Sequence, residues 1–368
     1  MKRIRLNAVP ALPGSVEPRL LAAFSRVLAS KTLLEGKENQ LFAKKLSVFL
    51  GGGFVVPVAS GHDALVLALK ALGVGPGDEV VVPALAYPTA FAVAQSGATI
   101  IPVDVNENAQ ISISSVRSLL TRKTKAVVAV HLFGHMGGMR QLRLLLKKKN
   151  IALIEDAAQA LGSRYKGKQA GAFADIGCFS FYPTKTLGAP GDGGAVWTKN
   201  KKIYEFLRQA KMYGEKTRYD SQFPSFHSRL PELQAAGLNT YFPHIAVWIK
   251  KRKALFRLYQ RLMPKNVRIL TSDDPTEPVP LELAIEADKR EALIKYLDKK
   301  GIECVIHYPT PFPFVPAFSY LKFEKGAFPQ AEALSKKIVS LPLHQFMNAS
   351  DVRHITSTIK TFYETSRT

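Results

Sequence analysis

Lys185 lies in the stretch CFSFYPTKTLGAPGDGGAV, residues 178–196, and is the side chain best placed to do covalent chemistry. An alternating apolar run, Ile176-Gly177-Cys178-Phe179-Ser180-Phe181, predicts a half-buried strand ahead of it. Pro183 ends that strand, glycines 188, 191, 193 and 194 close a loop around the lysine, and Ala195–Thr198 predicts a second strand leading away. A lysine held between two strands, beside glycines that let the backbone approach a ligand, suits Schiff-base chemistry with a carbonyl compound. In a chain with 51 Lys and Arg, a solvated surface lysine is the plainer alternative. The surroundings of Lys185 therefore decide.

Two upstream stretches supply what such chemistry needs. Residues Ile151–Ile154 predict a short buried strand ending in Glu155-Asp156-Ala157-Ala158-Gln159. A carboxylate in that position falls at the ligand edge of an open α/β sheet, although Asp156 would also serve as a simple turn cap. Residues Phe54–Ala59 predict a strand running into Ser60-Gly61-His62-Asp63 and then an apolar helix from Ala64 to Leu72. Such a small-residue turn at a helix N-terminus binds anions. A phosphate site, a buried carboxylate and a loop lysine together specify pyridoxal phosphate: phosphate on the helix end, Asp156 facing the pyridinium nitrogen, Lys185 bonded to the aldehyde. Ser180 shares a strand face with Cys178, and a serine among aromatics needs a partner, either the phosphate or a backbone group.

The elements that position these residues read as alternating strands and helices. Two amphipathic helices, 15–30 and 36–50, precede strands at 54–59, 79–82, 98–103, 125–132, 151–155, 176–181 and 195–198. This alternation predicts an α/β fold, a mostly parallel central sheet with helices on both faces. Residues 212–228, rich in Tyr, Ser, Pro and charge, predict a mobile linking loop, and helical spacing resumes over 231–262 with a break at Pro243. Beyond Pro264, strands at 278–285 and 303–308 and helices at 288–300 and 349–364 predict a smaller α+β C-terminal domain. The expected division is a large domain of residues 1–245 and a small one of 246–368.

Composition narrows the function classes. At 368 residues, 46% hydrophobic and 22% charged, the chain has the make-up of a soluble globular protein. Cys178 and Cys304 have no CxxC spacing, which argues against a disulfide framework and a zinc site and fits a reducing cytoplasm. The one long uncharged stretch, 80–103, contains three prolines and a glycine and predicts strand, turn, helix and strand, not a membrane span. The net charge of +22 suits an anionic partner, but the lysines are spread over several helices and no nucleic-acid-binding motif accompanies them. A basic surface with some attraction for a nucleotide diphosphate is the expectation, without specific nucleic-acid binding.

Six stretches in order resemble one family: ALGVGPGDEVVVPALAYPTA (71–90), KTKAVVAVHLFGHMGGM (123–139), IEDAAQALGSRYKGK (154–168), FSFYPTKTLGAPGDGGAV (179–196), SRLPELQAA (228–236) and HYPTPF (307–312). The sequence resembles the DegT/DnrJ/EryC1/StrS sugar aminotransferases, of the aspartate-aminotransferase-like fold type I. The resemblance implies a pyridoxal 5'-phosphate enzyme that aminates a nucleotide-linked keto-sugar, with glutamate as expected donor. The product would enter surface polysaccharide or amino-sugar metabolite biosynthesis. It further implies a homodimer with shared active sites, Lys185 as attachment point and base, Gln159 bonded to the cofactor's ring hydroxyl, and Tyr87 stacked on its ring. It places His307 and Tyr308 at the start of a substrate-facing loop. Arg229 becomes a carboxylate or phosphate clamp, or equally a salt bridge supporting its loop. His131 is expected to be structural.

Three positions depart from the family pattern. His62 stands where the phosphate turn usually has threonine, and His227 where asparagine usually reaches the partner subunit's phosphate. Pro313 replaces a histidine near the sugar. Two other readings stay beside the aminotransferase: a pyridoxal-phosphate sugar dehydrase, whose members carry histidine at the position of Lys185, and a regulatory or binding protein that keeps the fold.

Overall fold

A computed structural model of the chain describes residues 3–7, 16–272 and 276–365. Its centre is a seven-stranded sheet built from β1 (Phe54–Val58), β2 (Glu79–Pro83), β3 (Thr99–Val103), β4 (Thr124–Val130), β5 (Ala152–Asp156), β6 (Ile176–Ser180) and β7 (Gly194–Thr198). Their order across the sheet is β1-β7-β6-β5-β4-β2-β3. All pairs from β6 through β3 are parallel; β7 alone runs against both its neighbours. The expected α/β architecture, a mostly parallel central sheet, is thus present.

Both faces of the sheet are buried, as a parallel sheet requires. Val80 and Val82 of β2 pack in one core and Val81 in the other, and β4 divides Ala126 and Val128 from Val127 and Ala129 in the same way. Helices α1 (Glu17–Ser30), α2 (Lys37–Phe49), α3 (Gly61–Ala71), α4 (Tyr87–Gln95), α5 (Ile113–Leu119), α6 (Met139–Lys147), α7 (Lys201–Ala210) and α8 (Glu232–Tyr241) complete this part of the chain. A 3₁₀ turn at Phe242–His244, set by Pro243, then leads into α9 (Ile245–Leu262).

A third core, from Leu255 to Phe362, joins α9, α10 (Arg290–Lys299) and α12 (Ala349–Thr365) to a small antiparallel sheet of β8 (Arg268–Ile269), β9 (Leu283–Glu286) and β10 (Ile338–Leu341). Helix α11 (Pro329–Lys337) and the preceding Phe312, Phe318 and Phe328 pack instead on the large sheet's core.

Three expectations change. The 212–228 stretch is a short hairpin: Glu215–Thr217 pairs with Asp220–Ser221, Met212 bridges His227, and Phe223 stacks on Phe206 of α7 at 4.6 Å. Residues 303–308 form no strand. Only Val305 bridges, to Ser340, because Pro309 and Pro311 cannot extend the ladder. The expected strand at 278–285 shortens to Leu283–Glu286, and its β10 partner was hidden behind the helical spacing that ends at Lys337.

His135, in the turn after β4, is 1% exposed, with Nδ1 2.8 Å from Ser272 Oγ. Burial lowers its pKa to about 4. An unfolded histidine titrates near 6.5, so the stabilisation is complete above that value and is lost as pH falls towards 4. Unfolding free energy is expected to fall by up to about 3 kcal/mol from this group across that window. His135→Gln should flatten the fall, as read from urea midpoints at a series of pH values. His344, lowered to about 4 by burial and by Arg252, acts in the same direction.

Candidate functional site

The sheet register brings the phosphate turn to the lysine loop. Val58 of β1 and Ser180 of β6 both lie opposite Gly194 of β7, so the residues after β1 emerge beside the end of β6. Ser60 then caps α3, its hydroxyl accepting from Asp63 N at 3.0 Å. Gly61 faces Ser180 so closely that an added Cβ would stand 2.6 Å from the serine Cβ. Ser228 fixes the turn from behind: Ala59 N donates to its hydroxyl at 3.0 Å, and that hydroxyl donates to Asp63 at 2.6 Å.

The lysine loop folds on itself. Phe181 N bonds Gly193 O at 2.7 Å, Ala189 N bonds Phe181 O at 2.7 Å, and Lys185 N bonds Tyr182 O at 2.9 Å. Gly188 is packed against the Pro183 carbonyl, where a Cβ would come within 2.3 Å of the oxygen. Lys185 is half-buried beneath the edge of the sheet. Burial lowers its amine's pKa, and Glu282, then Asp156, oppose the fall.

Asp156 ends β5 between Val130 of β4 and Cys178 of β6. One carboxylate oxygen accepts from Thr89 Oγ1 at 2.7 Å and the other from Ala158 N at 3.1 Å. Its neighbour Glu155 is fully buried and accepts from the amides of Gly171, Phe173 and Ala174 and lies 2.9 Å from His131 Nε2. His131 is thus anchored from behind, and it also lines the same cleft as Lys185. Gln159 Oε1 accepts from Phe133 N at 2.6 Å.

One cleft of about 370 Å³ gathers Ser60, Gly61, His62, Asp156, Gln159, Ser180, Lys185 and Tyr308, together with Thr89, His131, Tyr182 and Asp192. His62 Nε2 lies 2.8 Å from Gln95 Oε1 of α4. Tyr87 stands at the rim, stacked on Tyr308 with ring centres 5.7 Å apart. Three candidates lie elsewhere. His227 is exposed, its Nδ1 3.0 Å from the Tyr213 hydroxyl. Arg229 faces a second cavity of about 610 Å³, lined also by Glu35, Arg208, Lys211, Lys216 and Arg218. His307 turns away to Glu282 at 2.7 Å and Ser340 at 3.0 Å. That second cavity gathers basic side chains that look scattered along the sequence.

Two of these residues were not singled out in the sequence. Thr89 lies inside the 71–90 stretch, and its signal was a hydroxyl at the start of an apolar helix. Glu282 was visible as a lone carboxylate in the apolar run Val279–Ile285.

The arrangement can hold pyridoxal phosphate. The α3 N-terminus, with Ser60, Gly61 and Ser180, offers donors for a phosphate; Asp156 is anchored as an anion for a ring nitrogen; Lys185 supplies an amine within the same cleft. Three such features around one cleft suit a pyridoxal-phosphate-dependent enzyme. The chain belongs to the DegT/DnrJ/EryC1/StrS aminotransferase family, whose model matches residues 15–360. It is 35% identical over 347 residues to the dTDP-3-amino-3,4,6-trideoxy-alpha-D-glucose transaminase of Streptomyces venezuelae, covering 93% of this chain and 92% of that one. It is 33% identical over 344 residues to the UDP-N-acetyl-3-dehydro-alpha-D-glucosamine 3-aminotransferase of Acidithiobacillus ferrooxidans, covering 93% of each. The crystal structure of S. venezuelae DesV in complex with a ketimine intermediate superposes with a TM-score of 0.95, at 34% identity, over 98% of this chain and 99% of that one. Among the described residues no helix is long and apolar enough to cross a membrane.

Proposed function

We propose that this aminotransferase binds pyridoxal phosphate at Lys185 and moves an amino group from glutamate to the ketone of a nucleotide-linked sugar. The observation that carries this reading is the meeting of the Lys185 amine, the anchored Asp156 carboxylate and the α3 N-terminus around one cleft. Bound there, the cofactor would supply an aldehyde for the amino group and a ring that withdraws electrons from the adjacent carbon.

The chain's own groups do the rest. Ser60, Gly61, Ser180 and the first amides of α3 hold the phosphate, with His62 beside them. Asp156 keeps a proton on the ring nitrogen; Thr89 and Ala158 N hold its two oxygens so that the carboxylate cannot rotate away. Gln159, pinned by Phe133 N, would meet the ring hydroxyl. Tyr87 and Tyr308 form an aromatic wall at the mouth. Lys185, its amine within the cleft, would be the base that moves the proton at the substrate carbon. The two relatives named above act on dTDP- and UDP-linked sugars, and either nucleotide suits this reading.

His227 is exposed and Arg229 faces the second cavity, away from this chain's own cleft, so their roles in this reading belong to a neighbouring subunit of a homodimer, at the partner's cofactor phosphate and an anionic substrate group. Lys185 itself counts against the sugar dehydrase reading, which places histidine there.

Borohydride treatment of the cofactor-loaded protein should fix pyridoxyl phosphate to the peptide carrying Lys185. A panel of nucleotide-linked keto-sugars with glutamate should yield an aminated product and 2-oxoglutarate. Label on another lysine, or a protein that takes up no cofactor, would overturn the reading.

A further inference from the structure

The turn Ser60-Gly61-His62-Asp63 has the spacing of a capping box, in which the cap hydroxyl takes the amide three residues on and an acid there reaches back to the amide of the cap. Only half of the box is made. Ser60 Oγ accepts from Asp63 N at 3.0 Å, but the Asp63 carboxylate goes elsewhere, its Oδ2 accepting from Ser228 Oγ at 2.6 Å. Among the described residues the amides of Ser60, Gly61 and His62 have no partner within the chain. Ser228 comes to this turn from far along the sequence. It is 1% exposed, its N bonds Lys211 O at 2.9 Å just beyond α7, and the neighbouring His227 bridges Met212. Lys211 is tied in turn to β1, its Nζ 3.2 Å from Pro57 O and 2.8 Å from a Glu35 oxygen.

Resting on the reading above, in which the α3 N-terminus takes the cofactor's phosphate, we propose that Ser228 is a positioning residue for phosphate recognition: by taking the Asp63 carboxylate it keeps the capping box open and leaves the turn's amides to the phosphate. The direction of its bonds is forced. The Ala59 amide, 3.0 Å away, can only donate to the hydroxyl, so the hydroxyl's one proton goes to the carboxylate, which can only accept. A carboxylate and a phosphate compete for one helix end, because both are anions drawn to its free amides and to the positive end of its dipole. Asp63 stands in the first turn of α3 and, if released, would be the nearer anion. Neither Ser228 nor Asp63 lines the cleft, as suits a carboxylate drawn away from the phosphate side.

The residues on either side of Ser228 point elsewhere. His227 is exposed, and Arg229 faces the second cavity. One short segment therefore has two duties: Ser228 tends the phosphate turn of its own chain, while in the proposed dimer its neighbours serve the partner.

The test compares two probes, pyridoxal phosphate and pyridoxal, titrated into the full-length protein freed of cofactor and followed by imine absorbance. Both carry the same aldehyde and ring, so the ratio of their affinities reports the phosphate alone. Ser228→Ala releases the carboxylate. Affinity for pyridoxal phosphate is expected to fall about tenfold, the worth of one hydrogen bond to a charged group, while affinity for pyridoxal stays within about twofold. A merely structural defect would lower both. Ser228→Thr keeps the hydroxyl and should keep the wild-type ratio. Adding Asp63→Asn to Ser228→Ala removes the competing charge and should return most of the lost ratio, which a turn that had only lost support would not do. If Ser228→Ala does not fold, Ser228→Cys keeps the bulk with a weaker donor and should move the ratio the same way by less. An unchanged ratio in the folded variant, equal loss of both probes, or no recovery with Asp63→Asn would overturn the proposal. The wild type separates the two readings. If it takes up neither probe, the cofactor reading falls and this inference with it; if it prefers the phosphate form and keeps that preference without the Ser228 hydroxyl, only the role of Ser228 falls.

Discussion

Lys185→Ala is expected to lose turnover by at least about 10³-fold, the range for removing a positioned base and nucleophile, while still binding pyridoxamine phosphate. The reason is the separation of tasks in the cleft. In the proposed reading the phosphate and ring contacts come from Ser60, Gly61, Ser180, Asp156 and Gln159, which line the cleft beside the lysine and do not depend on it. The loop's shape is fixed by backbone bonds among Phe181, Tyr182, Ala189 and Gly193, so truncating the side chain leaves the backbone in place. The stability cost is expected within about 1 kcal/mol: the variant gains by removing an amine that burial disfavours, and loses the cation facing Glu282 and Asp156. Calorimetric titration with pyridoxamine phosphate reads the binding, and the amination assay reads the rate. A small primary amine added to the assay should recover part of the rate, which would separate a missing base from a damaged site. Turnover within tenfold of wild type would mean that Lys185 is not the base.

Much of the sheet was legible because its strands are buried on both faces and so read as near-continuous apolar runs between turn residues, as in β2 and β4. The direction of β7 was not legible. Gly194–Thr198 has the composition of any other buried strand, and only the lysine loop's return from Phe181 to Gly193 makes it antiparallel. The hairpin at 215–221 escaped for a different reason. Its strands are two and three residues long and mostly exposed, so they carry no apolar alternation, and the Phe206–Phe223 stack that helps hold it joins residues far apart in sequence. Residues 303–308 misled in the opposite sense: the spacing of Val305 and Ile306 suggests a strand, but the prolines that follow allow a single bridge.

In the site, residues that sit at strand ends were legible, because chain direction alone puts them at the ligand edge. Asp156, Ser60 and Ser180 are of this kind. Residues that reach the cleft from distant elements were not. Tyr308 is one: it lines the cleft from the segment after α10, and no local pattern encodes that meeting. Thr89 is intermediate: its place on the first turn of α4 was readable, its bond to Asp156 was not.

That Thr89 bond shapes the second large effect. Asp156→Asn is expected to cut turnover by about two to three orders of magnitude, comparable to removing a preorganised electrostatic partner, with the fold retained. The amide is isosteric with the carboxylate, and its orientation is dictated by the neighbours. Ala158 N is a donor and cannot accept, so the Asn oxygen must take that side. The NH₂ then faces Thr89 Oγ1, whose hydroxyl can turn from donating to accepting. Every buried polar atom keeps a partner, and unfolding free energy should change by only about 1 kcal/mol. What disappears is the negative charge at the ring nitrogen's position. An amide cannot retain a proton on that nitrogen, so electrons released at the substrate carbon lose their acceptor, while phosphate binding at Ser60 and Gly61 continues. Exchange of glutamate's α-hydrogen with solvent deuterium should slow in parallel with turnover, because both report the same proton transfer. The decisive outcome is a folded, cofactor-loaded variant: near-normal exchange in it would show that Asp156 only caps its turn.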